Sequence, residues 1–182
     1  MRLPRPFQLL MRVRLIDPSD DDRPLIDTWL GAAHVRPYWG DPDENSRILR
    51  EAPPTMSRAL IEADGRKVGL VLWQQPTRDE LDEAGLTDIP ESVIDLDIMI
   101  GARGDVGRGI GTTAIRLVAE IVLADPSVPY VIAAIRVDNT ASLRAFSKAG
   151  FSRAREFDDL ETGRYVLMVR GRDENQGVGR MS

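Results

Sequence analysis

Two aspartates and a run of glycines are the residues whose types and spacing could do chemistry. Asp95 and Asp97 stand two apart in Val93–Ile100 (VIDLDIMI), and glycines follow at 101, 104, 107, 109 and 111. Carboxylates on one face can accept protons or hold an ammonium group. Glycines permit positive φ and let another group approach the backbone closely. From about Ile110 the sequence takes helical periodicity, so free N–H groups and a positive dipole end face the bend. Together these features make an anion site suited to phosphate.

Two familiar glycine motifs fit poorly. A P-loop needs lysine after its second glycine, and Ile110 follows Gly109. Gly109-x-Gly111-x-x-Ala114 has dinucleotide-fingerprint spacing, but it begins well after the strand. The next strand, ending at Ile135, does not finish on an acid that could hold a ribose.

The chain resembles the GNAT family of N-acetyltransferases. The first carrying block is Gly107-Arg108-Gly109-Ile110-Gly111, against R/Q-x-x-G-x-G/A. The second lies 28 residues beyond Gly111: Asn139-Thr140-Ala141-Ser142, then Phe146, then Lys148-Ala149-Gly150-Phe151. The family pattern there is N-x-x-A/S…Y…K-x-G-F. The resemblance spans about residues 12–170. It implies acetyl-CoA as cofactor, its pyrophosphate on Val106, Gly107, Arg108, Gly109, Ile110, Gly111 and Thr112. It implies pantetheine along Ile98, Met99 and Ile100, and cofactor contacts at Asn139, Ser142 and Phe146. Val106 stands where the family commonly has Arg or Gln. Phe146 stands where a tyrosine often protonates the departing thiolate.

Within the family, the chain resembles the aminoglycoside 6′-N-acetyltransferases. These carry an aspartate ten residues before the glycine signature, in a segment like D-Q-F-I-G. Asp97-Ile98-Met99-Ile100-Gly101 sits ten before Gly107. Trp29-Leu30, the HVRPYWG loop and Asp125-Pro126 match the subgroup too, whereas Ala134 replaces its second aspartate. The resemblance implies Asp97 as the base that accepts the amine proton. It implies Asp95, Asp97, Tyr38 and Trp39 as substrate-binding residues, and a small, cationic amine such as an amino sugar as acceptor. Protein or peptide N-termini and other small amines are the alternative acceptors. A non-catalytic acyl-CoA-binding module is the alternative class. The plain reading of Asp95 and Asp97 is a half-exposed strand face, and of Tyr38 and Trp39 a hydrophobic plug.

Specific elements must position these groups. In the central strand Ile94, Leu96, Ile98 and Ile100 share one face, and Asp95, Asp97 and Met99 the other. Before it come a strand at 12–16, a helix carrying Leu25, Ile26, Trp29 and Leu30, an aromatic loop at 34–41 and a helix over 43–50. Strands at 57–63 and 67–75 flank Asp64-Gly65, a hairpin signal. Residues 76–92 read as a polar, acidic loop, solvated or walling the substrate site. A helix runs to about Leu123, then come a strand at 130–135, a helix over 139–149 and strands at 151–157 and 164–170. The fold class is α+β: a central, mostly antiparallel twisted sheet of about seven strands flanked by helices. One domain spans 11–170, between a flexible extension at 1–10, with Met11 a second candidate start, and a disordered tail at 171–182.

Composition bounds the rest. The 182 residues include no cysteine and one histidine, which argues against disulfides, thiolate zinc and a Ser-His-Asp triad. No metal site is expected. The charge of −5 argues against a nucleic-acid partner and suits a cationic one. No apolar run approaches the ~20 residues of a membrane span. The expectation is a cytoplasmic protein, monomeric or homodimeric, without a membrane partner. Without cysteine, transfer proceeds by direct attack in a ternary complex.

Overall fold

The expected strands form and join in one sheet. They are β1 (Val13–Ile16), β2 (Met56–Ala63), β3 (Arg66–Gln74), β4 (Ile94–Ile100), β5 (Tyr130–Arg136), β6 (Ser152–Asp159) and β7 (Gly163–Gly171). The order is β1-β2-β3-β4-β5-β7-β6, antiparallel except for the parallel pair β4–β5. The computed structural model describes residues 11–159 and 162–172. The extension expected at 1–10 and most of the expected tail lie outside the described residues. Gly171 ends β7, and the Arg172 side chain donates to carbonyls of Leu123, Asp125 and Val128.

Six helices among the described residues flank the sheet: α1 (Arg23–Leu30), α2 (Arg36–Trp39), α3 (Pro42–Arg50), α4 (Arg78–Glu83), α5 (Ile110–Leu123) and α6 (Thr140–Lys148). Helix α5 buries Ile110, Ala114, Ile115, Val118 and Val122, spaced at three and four residues, in the main core. Leu96 of β4 and Phe146 of α6 belong to that core, with Ile94, Ile98 and Ile100 packed against it. The opposite sheet face carries two separate apolar clusters. One joins Trp29, Leu30 and Leu49 to Leu60, Leu70, Leu72 and Met99. The other joins Leu81, Leu86, Ile89 and Val93 to Ile132 and Leu167.

Two segments read as loops contain helices. Residues 36–39 close one turn, with Pro37 at its start. In the acidic stretch, Thr77 and Glu80 form a capping box that starts α4. Leu81, Leu86 and Ile89 of this stretch pack on β5 and β7, with Ala84 against them, so its charged side is the solvated one. The Asp64-Gly65 turn closes the β2–β3 hairpin with φ of 49° and 80°.

Gly101 ties the end of β4 to α1. Its N–H donates to the Val68 carbonyl at 2.8 Å, and a Cβ there would collide with the buried Trp29 ring. Gly101→Ala should therefore cost about 2–3 kcal/mol by overpacking, checked by urea unfolding; Gly104→Ala, where a Cβ meets nothing within 4 Å, should cost much less.

Candidate active site

β4 and β5 pair over only two residues, Ile94 with Val131 and Asp95 with Ile132, and then part. β4 stays paired to β3 as far as Ile100. Because antiparallel hydrogen bonding alternates, and Gly101 bonds toward β3, the polar groups of Ile98 and Ile100 turn to the open edge. The Ile100 carbonyl there accepts a hydrogen bond from His34 Nε2 at 2.9 Å.

The glycine bend continues this edge. Gly107 and Gly109 have φ of 80° and 82°, and Gly109 is the left-handed N-cap of α5. The first N–H groups of α5 therefore open into the bend rather than onto a capping side chain. Buried Asp105 holds the bend from below. It accepts from Arg66 at 3.0 Å and Arg108 at 2.8 Å, and those bonds, Arg66 first, keep its carboxyl below the ordinary range.

A groove of about 630 Å³ runs along the bend between β4 and α6. It is lined by Ile98, Met99, Ile100, Val106, Gly107, Gly109, Gly111, Thr112 and Asn139. Ile110 is fully buried, leaving its backbone to serve the site, and Arg108 is engaged with Asp105. Asn139 caps α6 by accepting from the Ser142 N–H at 3.2 Å. Phe146 is 1% exposed and packs edge-on against Phe151. The open strand edge, a bend of free amides and a groove of this size suit a long, phosphate-bearing ligand such as acetyl-CoA.

A small recess adjoins the groove where β4 and β5 part. Asp97 lies at its floor, with Tyr38, Trp39, Ala134, Arg136 and Tyr165 around it and Ser142 and Phe146 behind. Asp97 is open to solvent on one side, yet the walls displace much of its hydration, which pushes its carboxyl up to about 6. Asp95 does not line this recess. One of its carboxylate oxygens is buried without a partner among the described residues. Burial, then the charges of Asp97 and Glu80, push Asp95 well above its ordinary value. Of the two carboxyls, Asp97 therefore ionises first.

The residues that sequence reasoning passed over are Arg136 and Tyr165, and it missed the tie of His34 to Ile100. Arg136 pairs with Asp138 at 2.9 Å and lies over the Tyr38 ring, 5.9 Å from its centroid. Strand alternation from Ala134 would have placed Arg136 on this face, and from Leu167 would have placed Tyr165 there. No sequence signal ties His34 to Ile100. Among the described residues no three His, Cys, Asp or Glu side chains gather to hold a metal, and no helix is long and apolar enough to cross a membrane.

A strand edge opened beside an amide-lined bend defines an acyltransferase that takes its acyl group from coenzyme A. A model of the acetyltransferase (GNAT) domain matches residues 18–159, and the chain belongs to this family of acetyl-CoA-dependent N-acetyltransferases. It is similar to aminoglycoside N(6′)-acetyltransferase type 1 of Klebsiella pneumoniae and of Serratia marcescens. Each is 20% identical over 143 residues, 74% of this chain and 71% of the relative. Among solved structures, the aminoglycoside acetyltransferase AAC(6′)-Ib with coenzyme A and kanamycin superposes with a TM-score of 0.74. Identity is 20%, covering 90% of this chain and 95% of that one. A spermidine N-acetyltransferase chimera from Vibrio cholerae gives 0.64 at 13% identity, covering 87% and 94%.

Asp97 carries a stability consequence. Its folded value, about 6, exceeds the ordinary 3.8 of an aspartate, so the native state binds the extra proton between these limits. Stability from this group is present below pH ~4 and is lost as pH rises through ~6. Asp97→Asn should melt a few degrees above the parent at pH 7.5, the difference vanishing near pH 4; solvent on its open side limits the gain to about 1 kcal/mol.

Proposed function

We propose that this chain acetylates a primary amine of an aminoglycoside-like amino sugar, by direct transfer within a ternary complex. The observation that carries the reading is Asp97: an ionisable carboxyl with a raised pKa, on the floor of a recess that opens from the cofactor groove. The names of the curated relatives support the acceptor class.

Acetyl-CoA supplies an acetyl group on a thiol leaving group. The amides of Gly107 to Thr112 would hold its pyrophosphate, and the open edge at Ile98 and Ile100 its pantetheine arm. Asn139 and Ser142 would meet the cofactor from α6. Asp97 attracts the acceptor's ammonium and takes its proton, leaving the neutral nitrogen that attack requires. With an alkylammonium near pKa ~10, transfer to a carboxylate at about 6 is uphill by roughly 5 kcal/mol, against roughly 8 for an ordinary aspartate. The Ile98 amide, on the open edge, polarises the acetyl carbonyl. Tyr38 and Trp39 wall the acceptor. Asp95, held back in the sheet and resisting ionisation, leaves Asp97 as the anion that meets the acceptor.

Exposed Ala134 beside Asp97 supports a second acceptor, a peptide N-terminus, because a single amine needs only one carboxylate. The test is thiol release from acetyl-CoA against aminoglycosides, polyamines, lysine derivatives and N-terminal peptides. Selective turnover of 6′-amino aminoglycosides is expected; selective turnover of peptides would replace the first reading with the second. Asp97→Asn should lower kcat/KM about 100-fold or more at pH 7, and full retained activity would remove Asp97 as the base.

A further inference from the structure

The groove and the recess share four lining residues: Tyr38, Trp39, Ile98 and Asn139. An acetyl group delivered from the groove to an amine in the recess must pass their common boundary. The sulfur it leaves is therefore released there. Of the four, Ile98 has no exchangeable side-chain proton, and the Trp39 indole and Asn139 amide are far too weak as acids. The Asn139 oxygen is in any case committed to capping α6. Tyr38 alone carries a phenol, whose O–H is a general acid of the kind that protonates a departing group. Phe146 lines the recess but not the shared boundary, and it has no proton to give. Tyr165 also lines only the recess and stacks on Phe157 at 5.7 Å.

Tyr38 is held for this task. It lies on the one-turn α2, whose Pro37 carbonyl accepts from Arg136 at 3.4 Å. The same guanidinium lies over the Tyr38 ring, where it would stabilise a transient phenolate. At 40% exposure the ring has solvent on its other side, so water can return the proton.

Resting on the acetyltransferase reading, we infer that Tyr38 is the general acid, giving its phenolic proton to the coenzyme A sulfur. The nitrogen forms its bond to the acetyl carbon as the carbon–sulfur bond breaks and that electron pair stays on sulfur. Tyr38 protonates the sulfur, and water reprotonates the phenolate. The nitrogen loses two protons through Asp97, one before attack and one after. One proton is thus restored to Tyr38 by way of solvent and one remains in solvent, with nothing oxidised or reduced.

The test pairs kinetics with binding. Tyr38→Phe should lower kcat about 10- to 100-fold with KM for acetyl-CoA within about threefold. Calorimetry then compares CoA with its desulfo analogue. The parent should prefer CoA, and Tyr38→Phe should cut that preference at least threefold through loss of one hydrogen bond to sulfur. An unchanged kcat together with an unchanged preference overturns the assignment. If the parent acetylates no amine, the function proposed above fails, while the binding comparison still decides whether Tyr38 meets the sulfur.

Discussion

The parting of β4 from β5 is the constraint on which the site depends. Backbone polar groups inside a sheet must find partners, and leaving them bare costs about as much as a lost hydrogen bond. Here β4 keeps its β3 ladder through Ile100 but loses its β5 ladder after Asp95. The strand is fully committed on one side and open on the other. Buried Phe146, Leu96 and Ile135 line the recess beside the parted strands. What the sheet does not satisfy, an extended ligand can. The glycine bend at the end of the same strand continues the row of donors into the N-terminus of α5.

The second sheet face obeys a related logic. Had one apolar cluster covered it, Asp95 and Asp97 would both be sealed. Instead one cluster ends at Met99 and the other begins at Val93 and Ile132, with the two aspartates between them. Asp95 lies closer to the second cluster and has a buried, unpartnered oxygen; Asp97, two residues on, meets the opening. A single strand thus presents one carboxyl that resists ionisation and one that ionises at the mouth of the site. The same alternation carries Met99 into the core beside α1.

Periodicity made most of this fold legible before any coordinates. Alternation in 94–100, the strand at 130–135, the Asp64-Gly65 turn and the helix over 139–149 all correspond to observed elements. The acidic segment misled because its charges outnumber its apolar residues. The Thr77–Glu80 capping signature was present there, and Leu81, Leu86 and Ile89 are too sparse to announce a packed helix. The site was legible where chemistry rests on local backbone, as in the bend, and obscure where it rests on tertiary approach. No spacing foretells that Arg108 turns to Asp105, that His34 reaches Ile100, or that Arg136 covers Tyr38.

The charge of the recess follows from which of its groups are neutralised locally. Arg136 is the cation nearest Tyr38, but Asp138 holds it through two hydrogen bonds, at 2.9 and 3.2 Å. A paired guanidinium acts on the Tyr38 ring it overlies but adds little net field at a distance. Among the described residues no cation pairs with Asp97, and desolvation rather than a partner governs its pKa. The field an incoming molecule meets is therefore that of one aspartate, and it favours an ammonium. Ala134 adds no second anion on that floor, so the recess selects for one well-placed amine rather than for many. Discrimination among amines then falls to the shape of the Tyr38–Trp39 wall, where contacts are aromatic and a flat ring or an aliphatic chain can both find surface.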